Sequence, residues 1–198
     1  MREMGLAGRS SRLYRANAAN HAFFERHGNA RLGMDTPNER DQLWVGDVTF
    51  LKTANGWHYL AVVMDLYSRR IIGWALATHR KAALTCEALN MAIAARQPAP
   101  GLWSHSYRGM EYAACAYQAL LTAHGIKASM NRPRQCTDNA HRESLFHSFK
   151  SEWIHGFRFK GTEDVKMAIQ RYIEGFYNPV RLHSAIGYQS PMAWEVAG

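Results

Sequence analysis

The chain has only three cysteines in 198 residues, Cys86, Cys115 and Cys136, and no Cys-x-x-Cys pair among them. An odd, scattered set of this kind excludes a disulfide framework and a zinc knuckle, and it fits a reducing, cytoplasmic setting. No apolar run approaches the roughly 20 residues that a membrane helix needs, and the opening residues contain no signal-peptide core. Internal repeats and low-complexity tracts are also missing. Acidic residues are few: 16 Asp and Glu stand against 24 Lys and Arg, for a formal net charge of +8. That surplus, somewhat concentrated after Lys127, favours a polyanionic partner. With 47% apolar residues, the chain can fill one full core but is short for two domains.

Residues 1–40 are rich in Arg, Ala, Asn and Gly without a sustained period, and read as an arm. Residues 41–198 are expected to form the principal domain. Trp44 to Thr53 is β-prone, and Asn55-Gly56 is a strong hairpin signal that leads into Trp57 to Asp65. A turn at Tyr67-Ser68-Arg69 leads into a third strand, Arg70 to Ala77, so three antiparallel strands open the domain. Helix and strand then alternate, the mark of an α/β layer structure with parallel pairing. Leu84, Ala88, Met91 and Ala95 recur at helical spacing, Leu102 to Ser106 is a short strand, Tyr112 to His124 a helix, and Ile126 to Met130 a strand. A last helix, capped near Thr162, puts Val165, Ile169, Tyr172, Ile173 and Phe176 on one side and stops at Asn178-Pro179. Trp57, Trp74 and Trp103 read as core residues.

Two carboxylates stand out. Asp47 interrupts the apolar run of the first strand, where a charge is costly unless it is paired or bound to a cation. Its plainer role is a local hydrogen-bond anchor. From Asp138, a good N-cap, no Pro or Gly follows until Gly156, so a helix can run through this stretch. Leu145, Phe146, Phe149 and Trp153 share one apolar stripe, and Asn139, Glu143, His147 and Lys150 share the opposite side. That face suits phosphate or metal chemistry; the ordinary alternative is a solvated helix face. Asp65 reads as structural, tying the turn that follows it. Tyr177, Arg181 and His183 read as a clasp on the core, the alternative being contact with DNA.

Several blocks carry a family resemblance: Trp44-x-x-Asp47-Val48-Thr49, Gly56-Trp57-x-Tyr59-Leu60-Ala61-Val62-Val63-x-Asp65-x-x-Ser68-Arg69, His105-Ser106-x-Arg108-Gly109-x-x-Tyr112, Asp138-Asn139-Ala140-x-x-Glu143-Ser144 and Tyr177-Asn178-x-x-Arg181-x-His183. In order and spacing, from about Asp41 to Trp194, they resemble bacterial insertion-sequence transposases with the integrase type of catalytic core. The resemblance implies a ribonuclease H-like α/β fold with a mixed five-stranded sheet, three antiparallel strands coming first. It implies a DNA cut-and-join enzyme whose Asp, Asp, Glu triad holds two magnesium (or manganese) ions, with Asp47 first and Glu143 third. The second acid is missing. The family has an aspartate where this chain has Tyr107, thirty-six positions before Glu143.

A phenol titrates near about pH 10 and offers a neutral oxygen where a hard cation wants a charged one. Metal binding at Asp47 and Glu143 and strand transfer are therefore expected to be weakened. His105 and Glu111 are the nearby groups that could reach a metal instead, with His105 expected on the same side of the strand as Tyr107 by alternation. Arg132, Arg134, Asn139 and Lys150 are assigned to DNA contact, the alternative for the basic loop being a solvated surface. The resemblance further implies that Met1 to Leu6 is the tail of a helix-turn-helix region truncated at its start. It also implies homo-oligomers or partner transposase chains. The alternatives are a non-catalytic DNA-binding or assembly subunit, and a decayed remnant.

Overall fold

A computed structural model describes residues 23–24, 27–53, 56–132, 149, 159 and 161–197. Leu43–Thr53 form β1, Gly56–Asp65 β2 and Ile71–Ala77 β3, followed by Ala82–Arg96 (α1) and Trp103–Ser106 (β4). Met110–Ala113 (α2), Cys115–Ala123 (α3), Lys127–Met130 (β5), Thr162–Gln170 (α4) and Pro191–Ala197 (α5) complete the described strands and α-helices, with short 3-10 turns at Ala30–Gly33 and Ser184–Ile186. The strands lie in the order β3-β2-β1-β4-β5. β1 pairs antiparallel with β2, and β2 with β3, whereas β1–β4 and β4–β5 are parallel. Gly56, at φ 116°, takes the backbone conformation that the β1–β2 turn requires and that side chains disfavour.

Alternation along the strands sends successive side chains to opposite faces, and both faces are covered. Leu43, Val45 and Leu51 of β1 join Leu60, Val62 and Met64 of β2 beneath α4, which contributes Val165 and Ile169. Phe149 belongs to the same cluster and meets the Tyr172 ring edge-on at 5.0 Å. On the other face Trp44, Ala61, Val63 and Ile72 pack against Leu84, Ala88, Leu89 and Ala92 of α1 and against Tyr112, Tyr117 and Leu121. Each fully buried aliphatic side chain contributes about 1.5–3 kcal/mol, so two such layers hold the sheet rigidly.

Close approach, rather than side-chain size, sets the buried stripe of α1. A Cβ on Gly73 would lie 2.2 Å from the Ala88 carbonyl oxygen and 2.7 Å from the Ala92 nitrogen, so the helix backbone rests directly on β3. Thr85, Leu89, Ala92 and Ile93 therefore complete the stripe begun by Leu84 and Ala88, while Met91 and Ala95, expected there from spacing, are largely exposed, although the Met91 sulfur still accepts from the Trp74 amide at 3.3 Å. The single helix expected over Tyr112 to His124 is instead two, because Ala114 is extended (ψ 140°) between α2 and α3.

Past Gln170 the last long helix continues as π-helical turns, Arg171–Tyr177. It ends at Asn178, whose side chain bonds both backbone groups of Ile71 at 3.0 and 2.9 Å. Trp74 is buried and Trp103 half-buried, but Trp57 is 49% exposed, contrary to its assignment to the core. It pairs with Lys52 at the far end of the hairpin and packs edge-on against Phe50, also largely exposed. Among the described residues, no helix is long and apolar enough to cross a membrane.

Candidate active site

Asp47 is the central polar residue of β1, 8% exposed and paired with Val62 of β2. Residues two apart share a face, so its side chain follows Val45 to the α4 side of the sheet. Phe149 is buried on that same side. Phe149 stands six positions after Glu143 in the sequence. Glu143 itself lies outside the described residues, as do Arg134, Asn139 and Lys150. Arg132 is described and exposed, two positions beyond the end of β5.

Gly46 lets a second group approach from the opposite face. A Cβ there would lie 3.2 Å from the Tyr112 ring and 3.3 Å from its hydroxyl, so the phenol packs against the bare backbone next to Asp47. Burial raises the Tyr112 pKa well above the usual tyrosine range, and the neighbouring Tyr117, Asp47 and Glu111 push it further. Tyr112 is thus a neutral wall, and the charges of Asp47 and Glu111 both act on it.

Tyr107 follows β4 directly. Gly46 pairs with Ser106, which puts residue 107 next to the level of Asp47 on the neighbouring parallel strand. The pairing ends there, and the Gly109 amide donates back to the Tyr107 carbonyl at 2.9 Å. The Tyr107 ring packs against the α1-side cluster and stands edge-on to Tyr112 at 5.3 Å. Its hydroxyl donates to Glu111 Oε1, and Arg80 Nη2 donates to the hydroxyl. Arg80 Nε also donates to Glu111 Oε1 at 2.9 Å.

His105 is not on the side of Tyr107, as alternation led us to expect. It pairs with Val45, whose side chain lies on the α4 face, and β4 ends before alternation reaches residue 107. Both its ring nitrogens are engaged, Nδ1 with Ser129 Oγ at 2.8 Å and Nε2 with Asn131 Oδ1 at 2.7 Å, and the ring is fully buried. It ties β4 to β5 and does not reach toward a metal. Arg108 reinforces this join by donating to the Asn131 carbonyl at 2.7 Å. Arg80 escaped the sequence reading because it sits 27 positions from Tyr107, in the link before α1, where no local pattern marks it. The one local signal was the four-residue spacing of Tyr107 and Glu111.

A mixed sheet in this order, with helices on both faces, is the ribonuclease H-like architecture of integrase catalytic cores. A chain of the simian T-cell lymphotropic virus intasome shares it with a TM-score of 0.66 at 17% identity, over 82% of this chain and 56% of that one. The HTLV-2 integrase catalytic core, solved in complex with magnesium, shares it at 0.58 and 14% identity, over 80% and 98%. The Integrase core domain family matches residues 37–136, and a second family of the same description matches 124–191. Transposase InsF for insertion sequence IS3A of Escherichia coli (strain K12) is 44% identical over 155 residues, 78% of this chain and 54% of that protein. The insertion element IS600 31 kDa protein of Shigella sonnei is 38% identical over 159 residues, 80% and 58%. The chain belongs to the integrase core domain family, alongside the IS3-type insertion-sequence transposases. It spans about half the length of the curated relatives it matches.

The described residues fit a divalent cation at one of the two positions they cover. Asp47 offers a buried carboxylate, whereas position 107 offers a phenol already bonded to a carboxylate and to a guanidinium. Among the described residues, no three His, Cys, Asp or Glu side chains cluster as a metal site.

Proposed function

We propose that this chain is a transposase-type core acting on DNA in transposition or integration, impaired in phosphoryl transfer because Tyr107 stands where the second acid of the triad belongs. The observation that carries the reading is the engagement of the Tyr107 hydroxyl by Glu111 and Arg80 in a chain of this family. In-line displacement at a two-ion site needs the attacking and leaving oxygens stabilised together. Asp47 and Glu143 are the carboxylates left for Mg2+ or Mn2+, and losing one charged ligand lowers affinity by more than the roughly 10- to 100-fold typical of changes to a ligand's supporting partners.

Residues 1–40 are an arm ahead of the core, and residues 41–198 the core. The chain acts in the cytoplasm and pairs with copies of itself or with other transposase chains, as the dimeric and trimeric integrase cores among its structural neighbours support. Arg132, Arg134, Asn139 and Lys150 contact DNA, supported by the net charge of +8.

A second reading, a non-catalytic DNA-binding or assembly subunit, is favoured by one feature. The Tyr107 ring is packed and bonded into the fold instead of standing loose in the site. Strand transfer of element-end DNA with Mg2+ and with Mn2+ tests the impairment. No joined product is expected from the unsubstituted chain, and joining above background overturns it. Loss of joining by an active relative when this chain is mixed in favours the assembly role.

A further inference from the structure

The position that lacks its carboxylate carries a cation of its own. Arg80, two residues before α1, reaches across to donate to both Tyr107 and Glu111, and its guanidinium carbon lies 5.4 Å from the Tyr107 ring centroid. Glu111, in the first turn of α2, has a side chain only 5% exposed. Gly109 makes room for the contact: a Cβ there would lie 2.6 Å from Tyr107 Cζ and 2.7 Å from Glu111 Cδ and Oε1. At φ −82° the Gly109 backbone would accept any residue, so the packing, not the conformation, calls for glycine here. A buried carboxylate, a guanidinium and a phenol thus close on one another at the end of β4, one strand away from Asp47.

We infer that Arg80 is the resident cation of this end of the sheet, standing in for a divalent ion and keeping a second one out; the inference rests on the integrase-core reading above. The Glu111 carboxylate is neutralised by the guanidinium rather than left to draw a metal. A divalent ion brought beside it meets a like charge in a partly buried site, where screening is weak. Arg80 acts through Glu111 and position 107 and is a positioning residue. It follows that Tyr107→Asp alone does not rebuild a metal site, because the new carboxylate stands beside a guanidinium that pairs with it. The positive charge at residue 80 has to go as well.

Mn2+ alone, titrated into the full chain and read by water-proton relaxation, tests this on four proteins: unsubstituted, Y107D, Y107D/R80Q and Y107D/R80K. Thermal unfolding checks that each is folded. Gln keeps a hydrogen bond to Glu111 without the charge, and Lys keeps the charge without the fork. Y107D/R80Q is expected to bind Mn2+ about tenfold or more tightly than Y107D, with Y107D/R80K remaining close to Y107D. Equal affinity of Y107D and Y107D/R80Q overturns the inference, and so does relief by Lys as complete as relief by Gln. Joining by the unsubstituted chain sinks the earlier reading instead, so the two fail separately.

Discussion

Each end of the sheet holds a buried carboxylate met by arginine, but the two are built differently. At the end where β2 turns into β3, Glu195 of α5 accepts from Ser68 Oγ at 2.8 Å, from Arg70 at 2.6 Å and from Arg96. Two cations and a hydroxyl converge on one carboxylate from the β2–β3 turn, the last turn of α1 and the final helix. Beside it Asp65, fully buried, accepts from the amides of Asp41 and Tyr67, both at 2.8 Å. At the other end Glu111 has one half-exposed arginine and a phenol. The first arrangement locks three segments together. The second holds one side chain against another at the end of β4.

The largest effect should come from breaking the lock. Glu195→Ala leaves Arg96, whose side chain is 9% exposed, without its main partner, and should cost about 3–5 kcal/mol in denaturant unfolding. A loss below about 1 kcal/mol would erase the distinction between the two ends. Burial opposes ionisation of Glu195, but the hydrogen bonds from Arg96, Arg70 and Ser68 outweigh it and hold its pKa below the usual value.

Asp65 is the next test, and its sign is opposite. Burial outweighs the two backbone hydrogen bonds and raises its pKa to about 6. Between the unfolded value and about 6 the folded state holds the extra proton. The contribution from Asp65 is therefore complete below the unfolded pKa and lost as pH rises through about 6. Over that window the unsubstituted chain should lose up to about 3 kcal/mol relative to Asp65→Asn, measured as the pH dependence of unfolding free energy in the two proteins. Parallel pH profiles would remove the assignment.

The smallest effect should come from Arg80→Gln, since an ion pair with one half-exposed partner contributes at most about 1 kcal/mol. If equilibrium unfolding showed a loss as large as that of Glu195→Ala, the Tyr107 end would be as structural as the other.

Much of the fold was legible because it rests on local rules. Asn55-Gly56 announced the hairpin, and the switch from period two to helical spacing announced the order of elements that the sheet then displayed. Asp47 was legible as a charge inside an apolar strand and proved buried there. The errors share one cause, which is that distance in space overrode local pattern. Met91 lost its place in the core because Gly73 draws the helix backbone in beside Ala88 and Ala92. His105 fell on the opposite side from Tyr107 because β4 runs out at Ser106. Trp57 is exposed because it shares a face with Tyr59, which is already at the edge of the α1-side layer, while the buried His58 beside it points to the other face. The clasp of Tyr177, Arg181 and His183 held up: the His183 ring meets Tyr177 at 5.0 Å, Arg181 bonds it, and Tyr177 is buried against Met64.

Spacing and residue type were enough to tell the order of strands and helices and to mark Asp47 as a charge inside an apolar strand, and the family resemblance singled out Tyr107. Such properties are written in neighbouring residues, where alternation, turns and missing charges can be read directly. Tertiary structure alone decided what surrounds that tyrosine. Arg80 and Glu111 reach it from separate elements, and no rule of local sequence brings a guanidinium to a phenol across 27 positions; only the packing of α1 against the sheet does so.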